Sequence, residues 1–151
     1  MIEIMSVRAA PLEAVVAFFR AIDSPQIKAH FHPHDFGESR ARWLCSYSGR
    51  DEYYFALHES TIVAYGMLRG WDEGYDVPSL GICVRPGYER KGLGLALTYH
   101  LVAAGRLRGV KKMILKVKRD NPVAIAMYRK IGFGLTDYDE HFFRGTLVLD
   151  A

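Results

Sequence analysis

The segment best equipped for chemistry is residues 84–96, VRPGYERKGLGLA, which places three glycines and two adjacent cations, Arg90 and Lys91, between an apolar run and a helical pattern. Glycine lets backbone N–H groups approach a ligand closely. A helix start adds unpaired N–H groups and the positive end of the helix dipole. Together these features are typical of a site for phosphate or pyrophosphate, although a plain strand-to-helix turn is the alternative.

Two familiar phosphate-binding patterns do not fit this segment. Gly87 and Gly92 have the separation of a Walker A loop, but Leu93 and Gly94 follow where Lys and Ser or Thr are required. The dinucleotide-binding pattern needs a third glycine where Leu97 stands, and an acidic residue about 20 positions later, where the chain is rich in lysine. Both patterns are therefore excluded.

A second segment, residues 121–133, reads NPVAIAMYRKIGF. Asn121 is placed to cap a helix, Pro122 suits its first position and Gly132 suits its end. Tyr128 follows Asn121 by about two helical turns, near the same face. A phenol at that point can donate a proton to a leaving group. Taken singly, each residue favours a structural interpretation: Asn121 as a cap only, and Tyr128 as a buried aromatic.

Together the two segments resemble the GCN5-related N-acetyltransferase (GNAT) family. The acetyl-CoA loop of the family has Gln or Arg, two residues, Gly, one residue, then Gly or Ala; here Glu89 begins the pattern in place of Gln or Arg, and Gly92 and Gly94 complete it. The second block of the family matches at Asn121, Ala124, Tyr128 and Gly132-Phe133. The resemblance covers about residues 52–138, and the preceding third matches in layout only.

The resemblance implies acetyl-CoA as co-substrate and no metal. The strand before the loop would splay from its neighbour and pair with the pantetheine arm, and a backbone N–H near Ile82 or Cys83 would polarise the thioester carbonyl. Tyr128 would serve the departing thiolate, and Cys83 is expected to be packed and not nucleophilic. The implied cofactor-binding residues are Ile82, Cys83, Val84, Glu89, Arg90, Lys91, Gly92, Leu93, Gly94, Leu95, Ala96, Asn121, Ala124 and Tyr128.

A direct transfer also needs a general base, and no single residue is indicated by the sequence. Glu73 and Asp76 precede the splayed strand, in a loop that often faces the acceptor in the family. His34 belongs to an alternating run with His30 and His32, in the region that lines the acceptor site of family members. Zinc is not expected at this run because no fourth ligand has a clear spacing.

The acceptor is expected to be a primary amine of a small molecule. A weaker resemblance, to family members of amino-sugar and polysaccharide pathways, suggests an amino sugar; it rests on the FHPH, PSLG and WDEGYD segments. A peptide or protein amine is one alternative, and a non-catalytic acyl-CoA-binding regulatory domain is another. The seven cations of residues 106–119 are read as a solvated surface, so no nucleic-acid partner is expected.

The periodicity of the chain predicts the order β-α-α-β-β-β-α-β-α-β-β. In this prediction, Pro11 lies in the first turn of the first helix, residues 23–37 form a loop that can include a turn of helix, residues 38–47 form the second helix, and residues 133–138 form a strand. This order indicates an α/β fold with a mixed, mostly antiparallel sheet of about six or seven strands flanked by about four helices. The length of 151 residues suits a single domain spanning 1–151. In the strand before the last helix, Met113, Leu115 and Val117 alternate with Ile114, Lys116 and Lys118.

Composition restricts the partners and the cellular setting that the protein is expected to have. The net charge is +3, half of the residues are hydrophobic, and no apolar run reaches the roughly 18 residues of a membrane span. The cysteines Cys45 and Cys83 form no metal or redox motif, which favours a reduced, cytoplasmic setting. Neither a membrane nor a nucleic acid is expected as a partner, and a homodimer is considered because family members often dimerise.

Overall fold

A computed structural model describes residues 1–149 of the chain. It contains seven strands, β1 to β7: Ile2–Ser6, Glu52–His58, Thr61–Arg69, Ser79–Val84, Lys112–Lys118, Gly134–Asp137 and Phe142–Val148. The α-helices, α1 to α5, are Leu12–Ile22, Pro25–Lys28, Glu38–Cys45, Leu93–Leu107 and Pro122–Ile131. A short 3-10 turn, Val7–Ala9, follows β1.

All seven strands form one sheet in the order β1-β2-β3-β4-β5-β7-β6. Every neighbouring pair is antiparallel except β4 and β5, which are parallel. This arrangement confirms the predicted mixed, mostly antiparallel sheet. The central parallel pair matters most for function, because β4 and β5 are paired at a single position, Ser79 with Ile114, and diverge beyond it.

The sheet carries helices on both faces. On one face, α1 and α3 enclose an aromatic core in which Phe18, Phe55 and Tyr65 are fully buried. On the other, α4 and α5 cover Met113, Leu115 and Val117 of β5, as the predicted alternation requires. Consecutive residues of β4 therefore face different helix layers.

Local sequence explains where helix α4, which follows the glycine-rich loop of residues 85–92, begins and where helix α5 begins and ends. Gly92 precedes α4 in the left-handed region, at φ 81°, which glycine adopts without strain. Asn121 caps α5, and its side-chain oxygen accepts a hydrogen bond from the Ala124 N–H at 3.2 Å. Pro122 occupies the first turn of α5, and Gly132, at φ 121°, ends the helix.

The N-terminal third differs from the prediction in its boundaries. Pro11 caps α1 and does not lie within its first turn. The predicted loop at residues 23–37 does include a turn of helix, α2, because Ser24 accepts a hydrogen bond from the Ile27 N–H at 3.3 Å and Pro25 follows it. Helix α3 ends at Cys45, so Tyr47 lies beyond the helix to which the sequence assigned it. In the described residues, no helix is both long and apolar enough to cross a bilayer.

Candidate active site

A cavity of about 700 Å³ lies where β4, the glycine-rich loop, the start of α4 and helix α5 meet. It contains eleven of the fourteen residues predicted to bind the cofactor; Cys83, Lys91 and Ala96 are not part of its lining. The lining residues are Ile82, Val84, Tyr88, Glu89, Arg90, Gly92, Leu93, Gly94, Leu95, Asn121, Val123, Ala124, Met127 and Tyr128. The two sequence segments, separated by a helix and a strand, thus form one site.

The loop itself has an unusual backbone. Gly87 and Gly92 have positive φ angles of 92° and 81°, and so does Arg90, at 62°. A left-handed conformation costs a non-glycine residue about 1–2 kcal/mol, so Arg90 is held there by its surroundings. Glu89, the departure from the family pattern, accepts a hydrogen bond from the Gly87 N–H at 2.5 Å. Its carboxylate therefore stabilises the turn from within.

Gly94 lies at a close approach of three elements. A Cβ atom at this position would be 3.4 Å from the Met127 sulfur and 3.6 Å from a methyl group of Val84. A larger side chain would extend into the cavity between β4 and α5. A glycine here therefore keeps that cavity open.

The divergence of β4 from β5 leaves backbone groups of β4 facing a gap. The Pro78 carbonyl, just before β4, accepts a hydrogen bond from the Ile114 N–H at 3.0 Å, so it points toward β5. Backbone groups of a strand alternate in direction, so those of Leu80, Ile82 and Val84 also point that way. Those of Cys83 point toward β3, where Cys83 is paired with Tyr65. Of the two predicted oxyanion donors, the geometry favours Ile82.

Cys83 is a packed residue, as its sequence context suggested. Its side chain belongs to the aromatic core on the α1 face and is 7% exposed. Burial raises the pKa of the thiol to about 12, so the sulfur stays protonated near neutral pH. A protonated, buried thiol is a poor nucleophile.

Tyr128 lines the cavity from α5. Its ring packs edge-on against Phe133, with centroids 5.6 Å apart, and its side chain is 7% exposed. Burial raises the pKa of the phenol above its ordinary value. The hydroxyl therefore stays protonated at neutral pH and is available as a hydrogen-bond donor to a group in the cavity.

Two further cavities lie on the opposite, α1 face of the sheet. One, of about 600 Å³, lies under the loop between β3 and β4 and includes Glu73 and Asp76. The other, of about 380 Å³, lies beside α2 and includes His30 and His32. Both include Ser79, at the point where β4 and β5 separate. The gap between these strands therefore lies between the α1-side cavities and the larger cavity at α4 and α5.

His34 is half-buried against the aromatic core and lines neither of these cavities. Its Nδ1–H donates to the Asp35 carbonyl at 2.6 Å, and its Nε2 accepts from the Tyr65 hydroxyl at 2.8 Å. Burial, more than any other influence, lowers the pKa of the imidazole to about 4. Both nitrogens are engaged and the ring is neutral, so the geometry favours Glu73 and Asp76 over His34 as candidates for the base.

A hydrogen-bond network that the sequence did not reveal holds the loop between β3 and β4, which carries Glu73 and Asp76. One oxygen of Asp51 accepts from the N–H groups of Gly70, Trp71 and Asp72, at 3.0, 2.9 and 3.3 Å. Asp72, in the same loop, accepts from the hydroxyl of Tyr47 at 2.5 Å.

Other lining residues were also missed. Val123 and Met127 lie one helical turn apart on the cavity face of α5, a spacing that could have identified them, whereas Tyr88 had no such signal.

The chain resembles known proteins in sequence and in fold. The family model described as Acetyltransferase (GNAT) family matches residues 16–133. The [Ribosomal protein bS18]-alanine N-acetyltransferase of Escherichia coli K12 is 38% identical over 65 residues, which are 43% of this chain and 44% of the relative. The mycothiol acetyltransferase of Saccharomonospora viridis is 41% identical over 63 residues, 42% of this chain and 21% of the relative. The alignments thus span less than half of either relative.

Among solved structures, yncA of Salmonella typhimurium, a putative acetyltransferase with its cofactor acetyl-CoA, has the same fold. Its TM-score is 0.78, at 18% identity, over 100% of this chain and 95% of that chain.

Proposed function

This chain belongs to the GNAT acetyltransferase family, and we propose that it transfers an acetyl group from acetyl-CoA directly to a primary amine of a small molecule. The observation that carries the proposal is the cavity of about 700 Å³ in which the glycine-rich loop, the open edge of β4 and Tyr128 meet. Loop N–H groups suit the pyrophosphate, and the unpaired edge of β4 suits the amides of pantetheine.

In this mechanism, the Ile82 N–H donates to the thioester carbonyl oxygen as negative charge develops on it. The acceptor ammonium first loses a proton to Glu73 or Asp76, directly or through water. The neutral amine nitrogen then forms a bond to the carbonyl carbon from the α1 side, and it loses a second proton to solvent as the amide forms. The carbon–sulfur bond then breaks. The Tyr128 hydroxyl donates its proton to the departing sulfur, which leaves as the thiol of CoA. Tyr128 then regains a proton from solvent.

A protein amine is the second candidate acceptor. The Escherichia coli relative is named for an alanine of a ribosomal protein, and the matching 65 residues make a peptide amino terminus a reasonable substrate to test. Mycothiol acetyltransferase is named for a small molecule instead. Amino sugars, amino acids and peptides with amino-terminal alanine therefore form the first panel of acceptors.

The test measures thiol release from acetyl-CoA with each amine of the panel and without amine. We expect release that depends on one class of amine, together with an acetylated product found by mass spectrometry. Replacing Gly94 by leucine should abolish release, because the new side chain occupies the cavity. Gly134 should accept alanine with activity retained, because its φ is not positive and an added Cβ atom would meet only the Thr146 carbonyl, at 4.0 Å. Binding of acetyl-CoA without transfer to any amine would favour the non-catalytic alternative.

A further inference from the structure

The α1 face of the sheet carries a cluster of four cations, Arg69, Lys112, Lys116 and Arg144, here called the cationic cluster. Arg69, Lys112 and Arg144 line the cavity of about 600 Å³, and Arg69 and Lys116 line the adjoining cavity of about 380 Å³. Three different strands supply these residues: β3, β5 and β7. The folded sheet, rather than a run of the sequence, creates the cluster.

The arrangement within the cluster is unfavourable for the protein alone. Lys116 of β5 stands directly opposite Arg144 of β7 in the antiparallel ladder. Like charges in such a pair destabilise a sheet. A pair of this kind indicates a role other than stability, because a neutral residue at either position would remove the repulsion.

Within residues 1–149, no carboxylate forms an ion pair with the cluster. Among residues 1–149, ion pairs within 4 Å are formed by Lys28, Arg40, Arg42, Arg108 and Arg119, and by none of the four cluster residues. Arg69 instead donates to the Pro33 carbonyl at 2.9 Å. The ammonium group of Lys116 lies 4.8 Å from the ring centre of Tyr138. These contacts position the cations and leave their charge available.

The same cavity contains carboxylates at a separate place. Glu73 and Asp76 line the cavity of about 600 Å³ from the loop, while Lys112 and Arg144 line it from the sheet. Over the described range 1–149, neither carboxylate is within 4 Å of a cationic nitrogen. The cavity therefore offers one region for an ammonium group and another for an anion.

We propose that the acceptor is a small amine that also carries a phosphate or carboxylate, which the cationic cluster binds while Glu73 and Asp76 receive the ammonium group. This inference rests on the proposed acetyl transfer, since it describes the acceptor of that reaction. Polyamines are not preferred acceptors, because the cluster repels their additional positive charges. Amines without an anionic group are not preferred either, because they leave the cluster without a ligand.

The test compares amines that differ in one substituent: ethanolamine, phosphoethanolamine and β-alanine, and, for sugars, glucosamine and glucosamine 6-phosphate. Each amine is titrated calorimetrically into protein saturated with CoA, so that its phosphate group cannot bind in the cavity of about 700 Å³. Each is then assayed for thiol release with acetyl-CoA. We expect the affinity and kcat/KM for at least one anionic member to exceed those of its neutral partner by about tenfold or more. The phosphate and carboxylate arms identify which anion is preferred.

The variant Arg144→Gln should lower this preference by about tenfold, mainly through the KM for the anionic amine, while acetyl-CoA affinity stays unchanged. Its thermal midpoint should equal or exceed that of the wild type, because the repulsion with Lys116 is removed. The matched control is Arg8→Gln, an exposed cation beside β1 at the far edge of the sheet, which should change nothing.

The outcomes separate this inference from the proposed function. Acetylation of neutral amines as readily as anionic ones would overturn the inference and leave acetyl transfer intact. Binding of glucosamine 6-phosphate that Arg144→Gln weakens, without any acetylation, would support the cluster as an anion site and count against the proposed transfer. A preference that survives Arg144→Gln, or no binding of any anionic amine at millimolar concentration, would also overturn the inference.

Discussion

At the residue scale, Tyr128 is the group whose chemistry depends most on its surroundings. Packing against Phe133 fixes the ring, and burial keeps the phenol protonated. Replacing Tyr128 by phenylalanine should retain that packing and remove only the hydroxyl. We expect turnover to fall about 10²–10⁴-fold while the Kd for acetyl-CoA changes little. Calorimetry and steady-state thiol release measure the two quantities; equal turnover in the variant would mean that Tyr128 is not the donor.

The environment of His34 predicts how the free energy of unfolding depends on pH. Its pKa of about 4 in the folded protein lies below its ordinary value, so the unfolded chain binds a proton that the folded chain does not. The stabilisation from the neutral ring is complete above about pH 6.5 and is lost as the pH falls toward 4, by roughly 2–3 kcal/mol. Urea unfolding at pH 7 and pH 4.5 measures this loss.

The variant His34→Gln should have a shallower decline in the free energy of unfolding over the same pH range. His58→Gln serves as the control, because His58 is exposed and its loss should leave the decline as in the wild type. Identical declines in the wild type and His34→Gln would show that burial of this ring does not govern acid stability.

At the element scale, the features that the sequence predicted correctly are those with local causes. The caps of α5, Asn121 and Gly132, act within four residues of the helix ends, so their types and spacing are sufficient. The divergence of β4 came from the family resemblance and not from periodicity, since hydrophobic alternation carries no information on where pairing stops. The ends of β6 depend on its partner β7 and were placed one residue too wide on each side.

The loop between β3 and β4 is held by a residue distant in sequence, Asp51, and this contact gives a testable prediction. Asp51 lies about 20 positions before the N–H groups that it accepts from, and no local pattern reveals that pairing. Replacing Asp51 by alanine should lower the free energy of unfolding by about 1–3 kcal/mol and raise the KM for the acceptor, because Glu73 and Asp76 lose their support. The Kd for acetyl-CoA, set on the other face, should stay the same.

Chemical denaturation and steady-state kinetics of Asp51→Ala provide both readouts. Asp51→Asn is the matched control, since its carbonyl oxygen can still accept from the loop and should recover much of the acceptor KM. An acceptor KM that Asp51→Ala leaves unchanged would separate this loop from the acceptor site.

At the scale of the whole molecule, the proposed function divides the chemistry between the two faces of the sheet. The residues predicted to bind the cofactor lie in two short segments, and eleven of the fourteen line one cavity. The sequence could not predict the cavity proposed for the acceptor, where Arg69, Lys112 and Arg144 come from three strands that meet only through the register of the folded sheet. The number of strands and the order of the elements were accessible from periodicity, whereas the cavities were not.

The central claim is that the cavity between β4, the glycine-rich loop and α5 binds acetyl-CoA. Calorimetric titration of the protein with acetyl-CoA, with acetate as the control ligand, tests it most directly. The account predicts saturable binding of one acetyl-CoA per chain and none of acetate, because the loop and the edge of β4 contact the CoA portion. The absence of binding at millimolar acetyl-CoA would contradict the account; the carboxylate of Glu89 within the loop would then be the first feature to examine.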